Sequence, residues 1–70
     1  MTYPLIDARG RSCPEPVILT QKALAQYPEG IEVLVDNTTS RDNIIRFGKN
    51  KGYQVKVEPE GSDFRMILVR

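Results

Sequence analysis

The sequence predicts an α+β domain: a two-layer βαβαββ sandwich in which a four-stranded mixed sheet carries two helices on one face. Three observations lead there. Ile31-Glu32-Val33-Leu34-Val35-Asp36 alternates, with apolar residues at 31, 33 and 35, as a strand with one covered face does. Residues 14–27 and 41–51 instead repeat apolar side chains at three- and four-residue spacing, the helical period. Lastly, residues 53–58 and 64–69 are β-prone runs joined by Pro59-Glu60-Gly61-Ser62-Asp63, which reads as a hairpin loop. A strand–helix–strand beginning makes the first two strands parallel through a right-handed crossover. Strand three alternates, whereas strand four is apolar at nearly every position after Arg65, so three is an edge and four is central. The strand order is then 1-2-4-3, with strand four antiparallel.

Taken in order, Tyr3-Pro4-Leu5-Ile6-Asp7 is strand one, short and opened by a proline that an edge strand tolerates. The loop from Ala8 to Ser12 delivers Cys13. Gly10 within it can take a positive φ, either as a turn glycine or where another group approaches closely. Helix one runs from Pro14 to Tyr27. Pro14 and Pro16 suit a first turn, where a missing N–H costs little, and Cys13 becomes the candidate N-cap. Val17, Thr20, Gln21, Leu24 and Tyr27 share one face, with Val17, Ile18 and Leu24 toward the sheet. Leu19 points away and Lys22 faces solvent, so both are probes of a docking surface. Pro28-Glu29-Gly30 ends the helix. After strand two, Asn37-Thr38-Thr39-Ser40 is a polar turn in which Thr39 or Ser40 caps helix two. That helix spans about 41–51, buries Ile44, Phe47 and Gly48, and stops at Gly52. On the uncovered face of the sheet, Leu34 with Ile67 or Val69 would form an apolar patch.

Seventy residues leave room for one core, so 1–70 reads as a single domain. A formal net charge of +1 gives no bulk attraction to polyanions. The start of the chain has no signal-like apolar segment and no run approaches a membrane span, which points to the cytoplasm, where a lone thiol stays reduced. The absence of histidine from the sequence excludes Cys–His and Ser–His–Asp machinery, and one cysteine cannot build a zinc or iron–sulfur site. Neither a cofactor motif nor a metal-ligand set is present.

What survives is thiol chemistry at Cys13 without a dedicated base. A helix start carries partial positive charge, and Arg9 and Arg11 lie within four residues of the sulfur, all favouring the nucleophilic thiolate; Glu15 opposes it. With Pro14 and Pro16 lacking donors, the first-turn amides free to meet the sulfur are those of Glu15 and Val17. Parallel strands put the loops at their C-terminal ends on one edge, which makes Asp36, Asn37 and Thr38 second-tier site candidates beside Cys13. Two other classes compete: a nucleic-acid module using Arg41, Arg46, Lys49, Lys51 and Lys56, and a redox regulator that forms an intermolecular disulfide through Cys13.

Asp7-Ala8-Arg9-Gly10 followed by Cys13-Pro14-Glu15-Pro16-Val17 resembles the signature of the TusA/SirA-like sulfur-carrier family, in which Cys-Pro-x-Pro follows Arg-Gly. Val35-Asp36-Asn37, Asn43-Ile44-Ile45-Arg46-Phe47 and Gly52-Tyr53 are similar to the N-terminal domain of the family's YedF branch, so the likeness spans nearly the whole chain. Arg11 stands where the family usually has an apolar residue, often Leu, and the second domain of YedF-type proteins is missing. The resemblance implies the βαβαββ fold and a sulfurtransferase-type carrier. Its Cys13 would accept sulfur as a persulfide from a donor protein such as a cysteine desulfurase or a rhodanese-like protein. An acceptor protein would then receive it, in sulfur or selenium metabolism, tRNA thiolation included. Arg9, Gly10, Pro14, Glu15, Pro16 and Val17 would support the sulfur, with no cofactor, metal or membrane involved and nucleic acid a minor alternative.

Overall fold

The apolar alternation at 31–35 becomes a buried inner strand, and the rest of the chain is laid against it. A computed structural model describes residues 3–70, in the order β1 (Leu5–Asp7), α1 (Glu15–Gln26), β2 (Gly30–Val35), α2 (Thr38–Asn50), β3 (Gln54–Glu60) and β4 (Asp63–Val69). The sheet order is β1-β2-β4-β3, with β1 parallel to β2 and β4 antiparallel to both its neighbours, as the sequence predicts. Ile31, Val33 and Val35 of β2 and Met66 and Leu68 of β4 meet Leu24 of α1 and Ile44 of α2 in one core. Burying side chains of this size is worth about 1.5–3 kcal/mol each, so these seven carry much of the stability of so short a chain.

Element ends differ from expectation in instructive ways. Only Leu5–Asp7 of strand one is paired as strand, although the Pro4 carbonyl still accepts from the Glu32 amide at 2.9 Å. The cap of α2 is Asn37, whose side-chain oxygen accepts from the Ser40 amide at 2.7 Å, so the helix begins three residues before position 41. Ser40 is thereby a buried first-turn residue and not the cap. The β3–β4 connection is a two-residue turn, Gly61-Ser62, because Pro59 and Glu60 already pair with Phe64 and Asp63. Gly61 takes φ 64 at the first central position, as a type II′ hairpin turn requires.

The buried face of α1 is also set differently. Pro16, Thr20, Ala23 and Leu24 are buried, at intervals of four, three and one, while Ile18 is 41% exposed and Tyr27 47%. Leu19, expected outside, packs against the core, and Val17 does so at its margin. Small residues let the helix axis come close to the sheet; of the expected face Thr20 and Leu24 are buried and Val17 packs at the margin, while Ile18, Gln21 and Tyr27 stay exposed. The buried Thr20 hydroxyl is satisfied by donating to the Pro16 carbonyl at 2.8 Å. Helix α2 comes equally close: a Cβ on Gly48 would sit 2.7 Å from a Val55 methyl and 2.9 Å from one of Leu68.

On the face without helices the expected apolar patch does not form. Leu34 is 6% exposed, flanked in register by Asp7 and Arg65, while Ile67 and Val69 are half-buried. Charged side chains occupy that surface instead. Arg65 donates to Glu32 at 2.6 Å and to both oxygens of Glu60 at 3.1 Å. Among the described residues, no helix is long and apolar enough to cross a membrane.

Candidate functional site

Both parallel strands end on the same edge, and the chain leaves each of them toward a helix N-terminus. Past β1, the Ala8 amide still donates to the Leu34 carbonyl at 2.9 Å, which prolongs the ladder by one residue and buries Ala8. The chain then turns at Gly10. Its φ of 75 lies in the left-handed region, and nothing stands within 4 Å of where a Cβ would be, so the glycine serves the turn and not a close approach. The Gly10 amide donates to Asp36 at 2.8 Å, and Asp36 also accepts from the Asn37 side chain at 3.0 Å. These two donors, the Gly10 amide foremost, hold the Asp36 carboxyl below the usual carboxylate range. Asp36 thus clamps the cysteine loop to the end of β2.

Cys13 is exposed and precedes a Pro14 that occupies the cap position of α1, joined by a cis peptide bond. The cysteine itself is therefore not the cap: the first bond of the helical ladder runs from the Ile18 amide to the Pro14 carbonyl at 3.2 Å, one residue later. The Glu15 amide is not free for the sulfur either, since it donates to the Ser12 carbonyl at 2.9 Å. Pro16 is buried in the core and Val17 half-buried at its margin, so both anchor the first turn. Among the described residues, no acceptor meets the Val17 amide. Arg11, in the loop, and Glu15, at the start of α1, pair with each other at 2.7 Å and so offset one another's charge near the sulfur.

The sulfur instead has a neighbour from the second helix. The Asn43 side-chain amide donates to Cys13 Sγ at 3.7 Å across thirty residues of sequence. An open pocket of about 390 Å³ is lined by Gly10, Arg11, Ser12, Cys13, Asn37, Thr39 and Ser40. Of the residues predicted from sequence, Gly10, Cys13 and Asn37 line this pocket, with Asp36 behind Gly10; Thr38 is exposed outside it. Arg9 goes elsewhere. Its guanidinium donates to both oxygens of Asp7 at 2.9 Å and to Asp63 at 3.2 Å. Two carboxylates keep it charged, and in return it pulls the Asp7 carboxyl down to about 2. Asn43, Thr39 and Ser40 are the site residues that sequence reasoning missed. The available signal was the parallel β1–β2 pair, which sets the start of helix two beside the end of strand one.

The chain matches the model of the family described as sulfurtransferase TusA over residues 5–70. It belongs to that family. A relative in Methanocaldococcus jannaschii, named "putative sulfur carrier protein", is 41% identical over 66 residues, which cover 90% of this chain and 88% of the relative. The crystal structure of a SirA-like protein from Desulfitobacterium hafniense superposes with a TM-score of 0.84 at 39% identity, over 93% of each chain. The TusA-family chain thus has SirA-like architecture from β1 to β4, and its cysteine lies at an open edge of that fold.

Proposed function

We propose that this TusA-family protein carries sulfur as a persulfide on Cys13, taking it from a donor protein and passing it to an acceptor. The observation that supports this most directly is the exposed, unpaired cysteine at the mouth of an open pocket lined mostly by polar residues. In the loading step the Cys13 thiolate attacks the outer sulfur of a donor persulfide. A new S–S bond forms, the donor's S–S bond breaks, and the donor cysteine leaves as a thiolate that picks up the proton of the outer sulfur. One sulfur atom moves and nothing is oxidised or reduced overall, so neither cofactor nor external oxidant is needed. Delivery repeats the step with the acceptor's thiolate as nucleophile.

A shallow, open site of this kind is accessible to another protein's cysteine loop. Docking therefore falls on the surface beside Cys13, including the exposed side of α1. Since Leu19 is packed inward, the probes on that side are Ile18 and Lys22, four residues apart and both exposed. A cysteine desulfurase or a rhodanese-like protein has the chemistry of such a donor. The deciding test is intact mass after incubation with a cysteine desulfurase and cysteine. One or more added sulfur atoms on the parent, and none on Cys13→Ser, support the carrier. Oxygen adducts or a mixed disulfide alone would replace it with the redox reading.

A further inference from the structure

The polar surroundings of the sulfur come mainly from α2 and the turn before it. Asn37 caps that helix, Thr39 and Ser40 form its first turn, and all three line the pocket. Asn43, one turn further on, makes the only side-chain hydrogen bond to Cys13 Sγ among the described residues. A thiolate has no proton to give, so the nitrogen of the amide and not its oxygen must face it. Meanwhile Arg9 is held by Asp7 and Asp63, and Arg11, which lines the pocket, is paired with Glu15 and makes no hydrogen bond to the sulfur among the described residues. The sulfur is left with a neutral donor.

We propose that Asn43 is the residue that holds the reacting sulfur: its amide donates to the Cys13 thiolate before loading and to the outer sulfur of the persulfide afterwards. This rests on the carrier reading above. The outer sulfur stands about 2 Å beyond Sγ, the length of an S–S bond, a step small enough to stay within reach of the Asn43 amide beside the pocket that Cys13 lines. With two N–H groups, one amide can follow the negative charge from the inner sulfur to the outer one without moving a backbone atom. Neutral donors also suit a carrier. They stabilise the anion enough to hold it, whereas a full ion pair would resist handing it on.

The test uses Asn43→Ala and Asn43→Asp in the full chain, each rate referred to the folded fraction seen by circular dichroism. Asp keeps the size and shape of Asn, so a merely structural role for position 43, filling space between the helices, makes Asp the milder change. Holding sulfur makes it the worse one. The charged groups beside the pocket are Arg11, paired with Glu15, and Asp36, held by the Gly10 amide; on α2 itself, Arg41 pairs with Asp42 and lies over the Phe64 ring. Asn43 is therefore the perturbation that the pH profile of Cys13 alkylation reads. The expected midpoint moves up by about one pH unit in Asn43→Ala, and further in Asn43→Asp. Loading from inorganic polysulfide at neutral pH falls about tenfold and then several-fold more. Parent-like profiles in both variants, or an Asp variant no worse than Ala, overturn the assignment. The alkylation profiles need no donor, so they decide the role of Asn43 even if the parent proves unable to take up sulfur and the carrier reading falls.

Discussion

Two polar regions of this small domain are built on opposite plans. On the open sheet face each arginine is divided between two carboxylates: Arg9 between Asp7 and Asp63, Arg65 between Glu32 and Glu60. At the end of β1 and β2 the sulfur of Cys13 is exposed and receives one long hydrogen bond from a neutral amide. The first region has used up its charge on itself, over a leucine it helps to bury. The second has left its reactive atom open to whatever arrives. Saturated groups stabilise, and unsaturated ones are available for chemistry. Substitutions at the two regions should therefore fail in different ways.

The largest effect belongs to the sulfur. Cys13→Ser abolishes sulfur uptake by intact mass, while thermal unfolding moves by no more than about 0.5 kcal/mol, because an exposed side chain with few contacts is exchanged for a similar one. A variant that unfolds, or one that still gains sulfur, breaks the contrast at its strongest point.

Next is the surface beside it. Ile18→Asp combined with Lys22→Glu is expected to lower uptake from a protein donor about tenfold at limiting donor concentration, the effect of losing about 1.4 kcal/mol of docking energy. Alkylation of Cys13 by a small reagent should not change. Equal uptake by variant and parent would move docking to the α2 side of the pocket.

The topology was legible because its signals are local. Alternation at 31–35 and the contrast between strands three and four fixed the neighbours, and the strand order followed from chain connectivity. Side-chain destinations were not. Arg9 is four residues from Cys13, yet Asp7 and Arg9 lie two apart at the end of an extended strand and so turn to one side of the sheet, away from the sulfur. Nearness in sequence suggested a sulfur partner where strand periodicity delivered an ion pair. The reverse holds for Asn43. Its contact depends on how two helices sit side by side, which no local pattern encodes. The stripe on α1 was only partly legible for a third reason: Thr20 and Leu24 are buried as expected, but Pro16 and Ala23 are buried for their small size and not for a strongly apolar character.

A smaller effect is expected on the sheet face. Arg9→Ala releases Asp7 and Asp63 together, leaving two carboxylates near each other without their shared cation. Melting temperature should fall by a few degrees while sulfur uptake per folded molecule stays at the parental level. A loss of uptake with unchanged melting would return Arg9 to the sulfur site and erase the distinction between the two regions.

The smallest effect is a slope. Arg9 lowers the Asp7 carboxyl from the ordinary 3.8 to about 2 through its side-chain and backbone hydrogen bonds. Between those values the unfolded chain binds a proton that the native chain does not, so stability rises with pH across that window. The contribution of Asp7 is complete above about pH 4 and is lost as the pH falls through the native value near 2. Asp7→Asn removes this titrating group while keeping a side chain that can accept from Arg9. Its denaturant midpoint, measured from pH 5 down to pH 2, should fall less steeply with acid than the parent's. Because Asp7 is exposed, salt should shrink the difference. Cys13 alkylation at neutral pH should be the same in both proteins, since the carboxylate acts on the open face and not in the pocket. Parallel denaturation curves for variant and parent would mean that the Asp7–Arg9 pair contributes nothing to acid stability, and that the sheet face is held by Arg65 and its two glutamates alone.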